Sequence, residues 1–77
     1  MTKREMTISG TLKTKEMLDF IQHYLRLFDL DNQIVVANTT RVTLLLHGAP
    51  ELIDMLEMAC WLGSANSRIT SVLVTPG

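Results

Sequence analysis

A chain of 77 residues, 47% hydrophobic and 19% charged, is read as one small packed domain spanning residues 1–77, and disorder or a polyelectrolyte character is excluded. Seven basic and eight acidic residues give a formal net charge of -1, so no general attraction to nucleic acid or to an anionic membrane follows, and neither partner is expected. Apolar runs such as 34–37 and 44–46 fall far below the ~20 residues of a membrane span; no signal-peptide core follows Met1, and the lone Cys60 fits a reducing cytoplasm.

Residues 5–12 alternate Met6, Ile8 and Leu12 with Thr7, Ser9 and Thr11, the period-two pattern of a half-buried strand. From Lys15 to Asp29 the period becomes helical. Steps of 100° gather Met17, Ile21, Tyr24 and Phe28 on an apolar arc flanked by Leu18, Phe20, Leu25 and Leu27. Thr14 suits the N-cap and Asn32 the left-handed exit. Gln33–Asn38 and Arg41–His47, rich in β-branched residues and leucine and separated by a short polar turn, predict an antiparallel hairpin. Pro50 then opens a second helix running to about Leu62, with Leu52, Ile53, Leu56, Ala59 and Cys60 inward and Gly63 ending it. A polar loop at 64–67 precedes a last strand, Arg68–Thr75.

The order β-α-β-β-α-β predicts an α+β, ferredoxin-like split βαβ sandwich: a four-stranded antiparallel sheet with two helices on one face. Right-handed crossovers put the first and third strands in the centre. Val42, Leu44 and Leu46 then face the helices, while Thr43, Leu45 and His47 face the open side. On the last strand either Ile69 and Leu73 or Val72 and Val74 must be exposed.

This order, the length and two local patterns resemble the acylphosphatase family over nearly the whole chain. In that family the first strand leads into Gly-any-Val-Gln-Gly-Val-any-Phe-Arg, and here the matching stretch is Gly10-Thr11-Leu12-Lys13-Thr14-Lys15-Glu16-Met17-Leu18. The family's tail, a glycine followed by Ala-any-Val-any-any-Val, is echoed by Gly63 and then Ser67-Arg68-Ile69-Thr70-Ser71-Val72. The resemblance implies that the loop amides and the arginine hold a phosphate while an asparagine on the second strand orients water. Leu18 stands in the arginine's place and Val36 in the asparagine's, with Thr14 and Thr40 in place of two motif glycines. An anionic transition state needs donors that leucine and valine lack. No catalytic residue is therefore assigned, and the expectation is a non-enzymatic domain acting in protein interaction or self-association. Two alternatives stand beside it: a hydrolase of acyl phosphates with a rearranged site, and a module that binds a small anion such as phosphate.

For the anion reading, the candidate residues are Gly10, Lys13, Thr14 and Lys15, at a loop that ends in a helix N-terminus, together with Asn38. For a homodimer or a protein partner, the candidates are Leu45 on the open sheet face and Met58 and Trp61 on the second helix. His23 and His47 lie on different elements without cysteine or carboxylate at ligand spacing, so no metal and no cofactor is expected. All four aromatic residues lie on helices, which removes the strand aromatics that single-stranded RNA readers of this topology use.

Overall fold

The computed structural model describes residues 2–63 and 66–76. Its elements are β1 (Thr2–Thr11), α1 (Thr14–Leu27), β2 (Asp31–Ala37), β3 (Arg41–Gly48), α2 (Pro50–Leu62) and β4 (Arg68–Pro76). The strands form one antiparallel sheet in the order β2-β3-β1-β4, so the first and third strands are central, as the crossover rule requires. The architecture is the expected ferredoxin-like one. Of the predicted polar loop, residues 64 and 65 lie outside the described residues.

The core lies between the sheet and the helices. Met6 and Ile8 of β1 and Val42, Leu44 and Leu46 of β3 meet Met17, Ile21 and Leu25 of α1 and Ile53, Leu56 and Cys60 of α2. These are the residues that the two periodicities place inward. The partly buried Phe20, Tyr24 and Phe28 pack against the same core, with ring centroids 5.1 and 5.7 Å apart along the series.

Both outer strands carry a bulge, and each decides which side chains turn inward. On β4, Ser71 pairs with Ser9 but Ile69 with Gly10, so Thr70 is an extra residue; its hydroxyl donates to the Ser9 carbonyl at 3.1 Å. The shift lets Ile69, Val72 and Val74 all pack on the core and leaves Leu73 exposed. Neither of the two faces expected from strict alternation is exposed as a set. On β2, Val35 is the extra residue between Ile34, which pairs with Leu44, and Val36, which pairs with Thr43. Val36 therefore shares the open face with Thr43, and Ile34 packs inward.

Two helix ends differ from the sequence expectation. Lys13, not Thr14, occupies the N-cap of α1, with no side-chain cap bond, and Thr14 is the first helical residue. At the other end Asp29, not Asn32, takes the left-handed conformation, with φ 52°. The Asp29 amide donates to Arg26 and the Leu30 amide to Leu25, at 3.2 and 3.0 Å, while Leu30 and Leu25 are both buried. This paired closure with its apolar contact is a Schellman motif, and Asn32 instead lies within β2, next to its first residue Asp31.

Candidate functional site

The loop from Gly10 to Lys15 joins the central strand to α1. Gly10 has φ 153°, and a Cβ there would collide with the Arg68 carbonyl oxygen of β4. Only glycine lets the two backbones approach this closely.

Three of the loop amides have acceptors. Gly10 donates to the Thr40 carbonyl at 3.1 Å and Leu12 to the Thr39 carbonyl at 2.8 Å, while Lys13 donates to the Ser67 hydroxyl at 3.1 Å. A helix-entry loop attracts anions when its N–H groups are unpaired. Here the turn between β2 and β3 supplies two of the acceptors, and Ser67, just before β4, supplies the third.

That turn is built by Asn38. Its Oδ1 accepts from the Thr40 amide at 2.9 Å, the Thr40 hydroxyl at 2.9 Å and the Arg41 amide at 2.8 Å. The Asn38 amide in turn donates to the Arg41 carbonyl at 2.9 Å. The side chain thus closes its own turn, a common use of asparagine. The structure ties Gly10 to the Asn38 turn and Lys13 to Ser67 instead, while the Asn38 oxygen is committed within its own turn. Leu18, in the arginine's place by resemblance, is partly buried against the core.

Two further cations, Arg41 and Arg68, stand near this end of the sheet. Arg41 pairs with Ser9 and Arg68 with Thr11, on the strands either side of β1 and close to the loop that carries Lys13 and Lys15. The bulge opposite Gly10 sets the register that places Arg68 against Thr11.

The three residues named for partner contact occupy two surfaces. Leu45 lies on the open sheet face, beside a shallow depression of about 410 Å³ lined by Lys3, Gln33, Leu45 and His47 among others. The His47 Nδ1 and an Asp31 carboxylate oxygen stand 3.8 Å apart at its rim, both exposed. Met58 and Trp61 are exposed on the opposite layer, on the outer side of α2. Cys60 is buried, and that burial first, then the nearby negative charge of Glu57, pushes its thiol up from 9.0 to about 12. A thiol so shifted is a core side chain and not a nucleophile. Among the described residues no three His, Cys, Asp or Glu side chains gather as metal ligands, and no helix is long and apolar enough to cross a membrane.

No protein-family model and no curated protein matches the sequence. Solved structures do match. An acylphosphatase from Bacillus subtilis superposes with a TM-score of 0.88 at 21% identity, covering 100% of this chain and 86% of that one. One from Coxiella burnetii gives 0.86 at 17% identity, covering 99% and 80%. With TM-scores of 0.86–0.88 over 99–100% of this chain, the chain has the acylphosphatase fold.

Proposed function

We propose that the chain is a non-catalytic domain of acylphosphatase fold that works as a protein-interaction or self-association module through its open sheet face. Fold alone assigns no activity. The observation that carries the reading is the state of the loop: the Gly10, Leu12 and Lys13 amides donate to Thr40, Thr39 and Ser67, and Leu18 turns to the core. A transferring phosphoryl group needs preorganised donors aimed at its oxygens. Three of this loop's amide donors are engaged elsewhere.

The open face favours contact over the β2 edge. Leu45 and Leu73 are 37% and 57% exposed there, either side of the central Thr7–Thr43 pair, and Val36 borders Thr43. The Val35 bulge, by contrast, disrupts the β2 ladder, a device that blunts an edge against pairing. The face carries Lys3 as well as Glu5 and Asp31, so two copies can meet without a clash of like charge. Light scattering at micromolar concentration, with acetyl phosphate hydrolysis assayed on the same sample, tests the reading. A dimer lost in Leu45→Arg and no hydrolysis are expected. A strict monomer removes self-association, and turnover abolished by Asn38→Ala restores the enzyme.

A second reading, a small-anion module, is favoured by Arg41 and Arg68 flanking a loop that already carries Lys13 and Lys15. Phosphate titration followed by amide shifts at Gly10 to Lys15 decides it, and no shift at millimolar phosphate discards it.

A further inference from the structure

The outer side of α2 carries a surface that the sheet-face reading does not use. Met55, Met58, Trp61 and Leu62 are 50%, 70%, 48% and 82% exposed, while Ile53, Leu56 and Cys60 on the other side are buried. Steps of 100° per residue bring the four exposed side chains within about a third of the helix circumference. Single exposed apolar residues are ordinary, but four over successive turns of one helix form a strip, in which the exposed Glu51 and Asp54 fall within the same arc.

The same helix carries Glu51, Asp54 and Glu57 and no basic residue. Glu51, in the first turn, complements the positive end of the helix dipole, which is reason enough for it. That reason does not extend to Glu57, and the last turn lacks the lysine or arginine that the dipole would favour. The strip thus mixes apolar side chains with carboxylates, Asp54 within it and Glu57 at its edge, and the dipole accounts for Glu51 alone.

We propose that this face docks a cationic amphipathic helix from a partner protein, its apolar side on Met55, Met58, Trp61 and Leu62 and its lysines or arginines beside Asp54 and Glu57. Charge complementarity selects this occupant. A second copy of α2 would set carboxylates against carboxylates, and an anionic bilayer would meet the same repulsion. Two methionines supply an adaptable surface, and tryptophan is a frequent anchor at interfaces. The 13 residues of α2 span about 20 Å, enough for about four turns of a partner laid along it.

The sole tryptophan lies inside the strip and reports on it directly. The full chain is titrated with a synthetic leucine–lysine peptide of helical periodicity and, separately, with a leucine–glutamate peptide of the same pattern. Trp61 emission and the α2 amide shifts are followed. The lysine peptide is expected to blue-shift Trp61 and move the α2 amides, with affinity at least tenfold weaker for the double variant Asp54→Lys, Glu57→Lys. The milder pair Asp54→Asn, Glu57→Gln is expected to weaken it less and guards against a folding defect. Equal binding of both peptides, no shift with either, or indifference to the charge changes overturns the proposal. So does a blue shift on anionic phosphatidylserine vesicles alone, which would make the occupant lipid. A dimer abolished by Met58→Lys would make it a second copy and likewise overturn it.

Discussion

The amide of Leu12 donates to the carbonyl of Thr39 across 2.8 Å, tying the entry of α1 to the turn between β2 and β3. With Gly10 bonded to Thr40 in the same way, an inorganic anion could take these two amides only by displacing two backbone acceptors. Each such exchange gives up a hydrogen bond worth about 1 kcal/mol net, so the loop starts at a disadvantage against one whose donors are unpaired.

Asn38→Ala removes three acceptor contacts from an exposed turn. Because water can replace them, the expected loss of stability is about 1 kcal/mol. Urea denaturation measures it. A loss near zero would mean that the turn is held by its backbone alone.

Gly10→Ala is expected to cost about 3 kcal/mol or more, since the new methyl meets the Arg68 carbonyl and φ 153° is hostile to a Cβ. A midpoint close to that of the parent chain would show that β1 and β4 can part at the bulge without penalty.

Asp29→Gly acts in the opposite direction. The left-handed conformation at φ 52° costs an ordinary residue about 1–2 kcal/mol, and glycine loses about 0.5–1 kcal/mol of that gain to its freer unfolded chain. A net stabilisation of about 0.5–1 kcal/mol is expected, or a rise in Tm of about 4 °C. Thermal unfolding with no rise would place the cost elsewhere in the Schellman turn.

Cys60 sets an alkaline limit. Its folded pKa of about 12 lies above the ordinary 9.0, so the unfolded chain releases the proton first. The stability linked to it is intact below pH 9 and is lost as pH rises from there towards 12. The full shift corresponds to on the order of 4 kcal/mol. The parent chain is expected to lose stability more steeply over this range than Cys60→Ala, and its thiol to resist alkylation at pH 8 until it is unfolded. Parallel pH profiles would remove the linkage.

Element order and the inward faces of β1, β3 and both helices were legible because period-two and period-3.6 patterns report directly on burial. The bulges were not. An extra residue such as Val35 or Thr70 leaves no compositional mark, since both suit a strand, yet each reverses the faces beyond it. The left-handed position escaped for a related reason: asparagine is the commoner occupant, and aspartate was read only as polar surface. At the loop, the residue types were visible but not their partners. Nothing in Leu12 or Thr39 foretells an amide-to-carbonyl bond between segments 27 positions apart. On α2, steps of 100° would have joined Met55 and Leu62 to Met58, but apolar residues in a mostly apolar helix give little contrast.

The central position of β1 also bears on how the chain matures. Its neighbours are β3 and β4, so β1 acquires its second row of partners only when β4 has been made. Until then Met6 and Ile8 wait beside an unfinished seam. Assembly is thus tied to late, long-range pairing, which slows folding relative to a helical bundle of equal size. Removing β4 should leave the nascent product open to proteolysis instead of yielding a smaller stable unit.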